Sequence, residues 1–109
     1  PGPAKMCLYA LGQVVDWWMF GATGDIQAIG FHLGDWCDEE TRIGTASLAV
    51  MVQRTCLPPA TVKSCLDEAV ALGLLECHGW TRIHGEMVGR FSFPNLSHRI
   101  QEFTPGQEA

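Results

Sequence analysis

Hydrophobic residues recur with helical spacing in two short segments between residues 46 and 75, on either side of a pair of prolines. The first segment predicts a helix whose hydrophobic positions are Leu48, Met51 and Val52. Ser47, which precedes it, is suited to N-capping. Pro58-Pro59 ends this helix, and Pro59 fits the first turn of the next one, where its missing N–H is not needed. The second helix stops at Gly73, and its hydrophobic stripe is formed by Val62, Leu66, Ala69 and Val70. The pattern therefore predicts two amphipathic helices joined by a tight turn.

Two further helices are predicted before this pair. Residues 4–20 are hydrophobic at almost every position and predict a first helix. Residues 26–37 predict a second, with Asp25 as its cap, although Gly30 and Gly34 lower its helix propensity.

Strand-like patterns follow the central pair of helices. A strand is expected at residues 74–80 and a returning one at 90–93, with a glycine-containing loop at 81–89. The chain is expected to divide into three segments. These are a hydrophobic helix and linker (1–24), the main domain (25–96) and a polar tail (97–109).

The first predicted helix is hydrophobic on all sides, and a domain of this size can cover only one side well. Two interpretations remain open: the helix is the centre of the core, or one of its faces packs on a second copy of the chain or on another protein. Tryptophan, methionine and phenylalanine are enriched at the centres of interfaces, which favours the second interpretation. It predicts a homodimer interface formed by Tyr9, Trp17, Trp18 and Phe20.

The central segment resembles the core of winged helix-turn-helix DNA-binding domains of the phage, plasmid and bacterial regulatory or replication type. The matching positions are Ser47, Thr55, Leu57, Thr61, Val62, Lys63, Leu66, Gly73, Leu74 and Leu75. Cys56 departs from the pattern at a turn position where the family usually has glycine, and Pro58 replaces a capping serine. Ala60 and Ser64 stand where groove-facing basic or amide side chains are common. The implied fold is mainly α with a small β-hairpin (α+β), with an extra hydrophobic N-terminal helix.

The resemblance implies a recognition helix over residues 58–72 that enters the major groove of double-stranded DNA, and a wing over residues 78–91. The candidate DNA-binding residues are Thr61, Lys63, Ser64, Arg82, His84 and Arg90. The implied function is a transcriptional regulator or replication-initiator module acting as a homodimer. The alternative is a winged-helix adaptor that binds another protein and no DNA. A continuous positive strip on helix and wing would favour DNA, and a neutral apolar face would favour a protein partner.

The net charge of −5, from 7 basic and 12 acidic residues, is unfavourable for nucleic-acid binding. The acidity is concentrated at the start of the chain, since residues 1–40 contain one lysine against six carboxylates. Residues 41–99 contain six basic and four acidic residues and are therefore weakly positive.

The five cysteines are Cys7, Cys37, Cys56, Cys65 and Cys77, without any CxxC pair. Free, buried, unreactive thiols are expected, with no metal or other cofactor. The less favoured alternative is a metal or redox sensor that uses Cys56, Cys65, Cys77 and His78.

Enzymatic activity is not expected, because no catalytic motif is present and the adjacent Cys77 and His78 should point to opposite faces of a strand. No hydrophobic run approaches about 18 residues and no signal-peptide pattern is present. These features predict a cytoplasmic protein with no membrane partner.

Overall fold

The computed structural model describes residues 7–101, without the side chains of residues 100 and 101. This part of the chain forms an α+β domain of five helices, a 3-10 turn and one three-stranded antiparallel sheet. The elements are α1 (Leu8–Val15), the 3-10 turn (Trp17–Phe20), α2 (Gly24–Asp35), β1 (Ile43–Ser47), α3 (Leu48–Thr55), α4 (Pro59–Ala71), β2 (Glu76–Ile83), β3 (Glu86–Ser92) and α5 (Ser97–Gln101). The expected α+β class is confirmed.

One boundary differs from the sequence predictions at the end of the domain. Residues 97–101, expected to belong to a polar tail, form the short helix α5. The predicted helix start at residue 4 and the rest of the tail lie outside the described residues.

The hydrophobic N-terminal segment is not the single helix that was predicted. Helix α1 stops before Asp16, and residues 17–20 form a 3-10 turn that ends at Gly21 with φ 96°. Since a 3-10 turn has three residues per turn, Trp17 and Phe20 share one side of it. That side faces the core, where Trp17 is fully buried, Phe20 is 8% exposed, and Trp18 remains 64% exposed. Trp17 and Phe20 are therefore core residues, and their assignment to a dimer interface was wrong.

Helices α1 and α2 pack against each other closely because α2 carries glycines on the side that faces α1. A β-carbon at Gly30 would lie 2.4 Å from the Trp17 ring, and one at Gly34 would lie 3.0 Å from Leu11. At the other end of this contact, the Gln27 side chain donates a hydrogen bond to the Val14 carbonyl at 3.1 Å. The glycines that lowered the helix propensity of this segment are thus the positions at which the two helices approach.

Helix α2 begins two residues earlier than predicted and has a different cap. The Thr23 hydroxyl accepts a hydrogen bond from the Ile26 N–H at 3.3 Å, whereas Asp25 lies in the first turn. A carboxylate in the first turn stabilises the helix through its dipole without capping it.

The sheet has the strand order β1-β3-β2, with β3 antiparallel to both neighbours. Strands β2 and β3 continue up to a two-residue turn at His84 and Gly85, where φ is 50° and 81°. Positive φ at both central positions is the property of a type I′ hairpin turn. The long loop predicted at residues 81–89 was therefore wrong, because most of it is paired strand. Strand β2 is exposed at nearly every position and lacks the hydrophobic alternation that reveals a strand.

Helices α3 and α4 form as the sequence predicted. The Ser47 hydroxyl caps α3 by accepting a hydrogen bond from the Val50 N–H at 3.0 Å, and Pro59 occupies the first turn of α4. Helix α4 ends in a Schellman motif, in which the Gly73 N–H donates to Val70 and the Leu74 N–H donates to Ala69. Gly73 has φ 76°, which explains the glycine at this position.

Cys56, in the turn between α3 and α4, has the left-handed backbone that a glycine would adopt without strain, with φ 59° and ψ 22°. Left-handed geometry costs a residue with a β-carbon about 1–2 kcal/mol, and glycine loses more entropy on folding by about 0.4–1 kcal/mol. We expect Cys56→Gly to stabilise the protein by about 0.5–1 kcal/mol in urea unfolding. Cys77→Gly, at an exposed strand position with a different backbone, is the control and should destabilise it. A loss of stability in Cys56→Gly would contradict this reading of the turn.

Candidate interaction surface on helix α4 and the β2–β3 hairpin

The candidate residues on α4 lie near its exposed N-terminal half. Ser64 is exposed, and Thr61 and Lys63 are half-buried. The helix begins at Pro58-Pro59, both exposed, and no side chain in the described part of the chain caps its first turn. The positive end of the helix dipole and the N–H groups of the first turn therefore open to solvent.

Lys63 lies between a carboxylate and an aromatic ring. Its Nζ is 2.9 Å from Asp67, one helical turn away, and 5.3 Å from the centroid of the Trp80 ring in β2. The cation–π contact links α4 to the hairpin, so helix and hairpin form one continuous surface. The ion pair neutralises the lysine, but an exposed pair of this kind is worth only about 0.3–0.5 kcal/mol and is easily exchanged for another anion.

The structure separates the two arginines of the hairpin. Phe91 of β3 is buried in the core, and alternation along the strand places Arg90 on the opposite face. Arg82 pairs with Met87 across the hairpin and therefore lies on the same face as Phe91, the face that contacts α4. Arg82 and Lys63 are thus on one side of the sheet, and Arg90 does not join them.

The tip of the hairpin is held by a side-chain contact. Arg82 donates a hydrogen bond from Nη1 to the Gly85 carbonyl at 3.1 Å. His84 occupies the turn itself and is exposed. The exposed tip also carries Ile83 and Met87, which are hydrophobic.

Three other arginines pack on aromatic rings away from this surface. Arg42 lies 3.9 Å from the centroid of Tyr9, Arg54 lies 4.7 Å from Trp36, and Arg99 lies 4.3 Å from Phe20. Arg99 also donates to the Leu72 carbonyl at 3.2 Å. Such contacts stabilise the fold by holding the guanidinium over a ring. Much of the excess positive charge of residues 41–99 therefore lies outside the α4–hairpin surface.

An open groove separates the hairpin tip from the start of α3 and α4. Its walls are mostly apolar and are formed by Leu48, Ala49, Val52, Pro59, Arg82, Gly85, Glu86 and Met87. The two charged residues of opposite sign, Arg82 and Glu86, leave the groove neutral. Its composition resembles a protein-binding groove more than a phosphate-binding one.

A polar cluster at the base of the hairpin was not found from the sequence. The Ser92 hydroxyl is 2.8 Å from Nε2 of His78 and donates to the Glu76 carboxylate at 3.3 Å. The carboxylate contacts the serine and not the imidazole, so it does not orient the histidine as in a Ser–His–Asp triad. The cluster joins β2 to β3, where Glu76 and Ser92 are paired residues. The sequence signal for this cluster was the spacing of Glu76 and His78, since residues two positions apart on a strand share one face.

A β-bulge lies at Cys77 and His78. The register of β2 shifts between Cys77 and Gly79, and Gly79 has φ 116°. Cys77 pairs with Phe91, whereas His78 contacts Ser92, the next residue of β3, so the two side chains lie on opposite faces of the sheet, as predicted. Both residues also line one open groove beside Leu75 and Pro94.

All five cysteines are within the described residues and are free thiols, but not all are buried as expected. Cys7, Cys37 and Cys65 are buried, and Cys56 and Cys77 are exposed. Burial raises the pKa of Cys65, and the nearby Asp25 and Glu68 carboxylates raise it further. Within residues 7–101, no three His, Cys, Asp or Glu side chains are placed to hold a metal ion.

No protein-family model, curated protein or solved structure matches this chain significantly. In the described part of the chain, no helix has the length and apolar character needed to cross a bilayer.

Proposed function

We propose that residues 24–96 form a winged helix-turn-helix domain. The order of elements, α2-β1-α3-α4-β2-β3, and the pairing of β1 with β3 support this. The turn of residues 56–58 between α3 and α4 has the length of a helix-turn-helix connection. In this assignment α4 is the recognition helix and the β2–β3 hairpin is the wing.

The proposed function is binding of double-stranded DNA by a cytoplasmic regulator or replication-initiator module. The observation that carries it is the contact between Lys63 and Trp80, because it joins the open N-terminus of α4 and the hairpin into one surface. Thr61, Lys63, Ser64, Arg82 and His84 are the proposed contact residues. A helix N-terminus and hydroxyl groups can bind phosphate, and Lys63 can reach phosphate or a guanine edge. Arg90, on the other sheet face, is left out of the proposed contact.

Substitutions at Lys63 and Asp67 should change DNA affinity in opposite directions. Lys63→Ala removes the central cation and is expected to weaken binding by about 1–3 kcal/mol if the lysine also reads a base. Asp67→Asn removes a like charge beside the phosphates and releases Lys63, so it should strengthen binding by about threefold to tenfold. Fluorescence anisotropy with a labelled duplex, over a series of salt concentrations, measures both.

Glu68→Gln is the matched control, because it removes the same charge from α4 without releasing Lys63. It should strengthen binding less than Asp67→Asn. Arg90→Ala should have the smallest effect of the basic substitutions. The salt slope of the parent should be about −0.9 for each phosphate contact. Failure of the folded parent to bind any duplex at low salt would refute the DNA proposal.

The proposed assembly is a homodimer whose interface is formed by α1 and by Trp18. Leu8 is 72% exposed, Val15 is 53% exposed, and Trp18 extends this apolar surface. Leu8 and Val15 lie on one side of α1, two turns apart, and Trp18 follows in the 3-10 turn. Contiguous exposed patches of large hydrophobic side chains often mark interaction sites. A two-fold dimer would also present two copies of α4 to a pseudo-palindromic site.

A protein-binding adaptor is the second candidate, and one specific observation favours it. The groove between α3 and the hairpin tip is neutral and mostly apolar, as expected for a protein partner. Binding of a partner there, rather than DNA, should be insensitive to Asp67→Asn and should be lost on Val52→Asp. Isothermal titration with the partner, compared with duplex DNA, separates the two functions.

A further inference from the structure

Helices α1 and α2 run antiparallel, as three of their contacts show. Leu11 faces Gly34, Trp17 faces Gly30, and Val14 accepts a hydrogen bond from Gln27. Continuing this antiparallel order toward the start of α1 brings Cys7, which precedes that helix, opposite Cys37, which follows α2.

The two thiols meet where this order places them. Cys7 is 1% exposed, Cys37 is 3% exposed, and the Cys7 thiol is near enough to help raise the pKa of Cys37. The Cys37 thiol donates to the Asp38 carbonyl at 3.7 Å. Cys37 is also fixed by its bridge to Gly44 of β1. Arg42, in the loop after α2, packs on Tyr9 of α1 and holds that loop against the helix. In the described residues, no group of three metal-binding side chains includes either cysteine.

We propose that Cys7 and Cys37 form a reversible disulfide that joins the start of α1 to the end of α2. The inference does not depend on DNA binding. Two of the five cysteines, Cys7 and Cys37, are then the site of oxidation. Cys65 is also buried but stays a thiol.

The oxidant is a low-molecular-weight disulfide such as oxidised glutathione. A thiolate of one cysteine attacks a glutathione sulfur and breaks its S–S bond, which releases one reduced glutathione and leaves a mixed disulfide. The thiolate of the second cysteine then attacks the cysteine sulfur of this mixed disulfide and releases the second glutathione. Two cysteines lose two protons and two electrons, and one glutathione disulfide becomes two thiols.

Burial raises the pKa of Cys37 to about 12, and contact with Cys7 adds to the shift, while Arg42 opposes it. A protonated, buried thiol reacts slowly. Formation of the disulfide is therefore expected to be slow. The test is made at equilibrium, where the extent of oxidation depends on the stability of the disulfide and not on its rate of formation.

The fold should favour this disulfide, and the disulfide should favour the fold by the same factor. The closed loop runs from residue 7 to residue 37, and closing a loop of this length is expected to raise the melting temperature by roughly 10 °C or more. The equilibrium constant for oxidation should be about a hundredfold or more higher in the native chain than in the urea-denatured chain.

The test uses the full chain with Cys56→Ser and Cys77→Ser, so that only the three buried cysteines remain. The protein is equilibrated in glutathione redox buffers, natively and in urea, and the free thiols are alkylated and counted by mass spectrometry. We expect the native count to fall from three to one, recovery of the tryptic peptide of residues 6–42 with Cys7 and Cys37 joined within it and unalkylated, and reversal by reduced glutathione. A count that stays at three in oxidised buffer, or a link through Cys65, would overturn the proposal.

Three matched variants separate the pair from general thiol oxidation. In the same background, Cys65→Ser should still form the disulfide and show the rise in melting temperature. Cys7→Ala and Cys37→Ala should each lose both, and circular dichroism reports whether they remain folded. If either alanine variant, while folded, still showed the rise in melting temperature in oxidised buffer, the Cys7–Cys37 disulfide would be excluded.

Discussion

Gly30→Ala is expected to destabilise the protein by about 2–3 kcal/mol and to lower its melting temperature by roughly 10–20 °C. Alanine at an ordinary position inside a helix stabilises it by about 1 kcal/mol relative to glycine, so the sign of this change is diagnostic. A β-carbon at Gly30 would lie 2.4 Å from Cζ3 of Trp17, which is too close for any real contact. Trp17 cannot move aside easily, since it is fully buried and stacks on Phe93 at 6.1 Å. Urea unfolding measures the change.

Gly12 provides the matched control for this prediction. It lies inside α1, is exposed, and a β-carbon there would meet nothing within 4 Å. Gly12→Ala should therefore stabilise the protein by about 0.5–1 kcal/mol. Trp17→Phe should recover part of the stability lost in Gly30→Ala, because the smaller ring leaves room for the added methyl group. If the Gly30→Ala protein were as stable as the parent, the close contact between Gly30 of α2 and the Trp17 ring would be refuted.

Trp18→Ser is expected to convert the proposed dimer to a monomer. The side chain is 64% exposed in the single chain, so its loss should change the stability of the monomer by less than about 0.5 kcal/mol. In a two-fold interface the residue occurs twice, and each buried aromatic side chain contributes on the order of 1.5–3 kcal/mol. The dissociation constant should therefore rise by roughly a hundredfold or more. Sedimentation equilibrium over a range of protein concentrations measures it.

Ile83→Ser is the control for Trp18→Ser. Ile83 is another exposed hydrophobic residue, but it lies at the hairpin tip, away from α1. Its replacement should leave the dissociation constant unchanged. A parent protein that stays monomeric at high micromolar concentration would refute the dimer. So would equal losses of association in the two variants.

The sequence by itself determined the features that depend on residues a few positions apart. Ser47 caps α3, Pro59 begins α4 and Gly73 ends it, as the pattern predicted. Cys56, where the resemblance to winged-helix domains implied a glycine, does have positive φ. Caps, prolines and left-handed residues act through their own backbone and the adjacent turn, so their effects can be read from a short stretch of sequence.

The tertiary structure alone decided which faces of these elements meet. A segment that is hydrophobic at nearly every position carries no periodicity, so the sequence did not show that the chain turns after Asp16 and buries Trp17 while exposing Trp18. The sheet register, set by pairing with β3, placed Arg82 and Arg90 on opposite faces.

The contact of Lys63 with Trp80 and the meeting of Cys7 with Cys37 likewise join residues far apart in the chain. Such contacts arise from the packing of whole elements, which optimises burial over the entire core, and no local pattern specifies them.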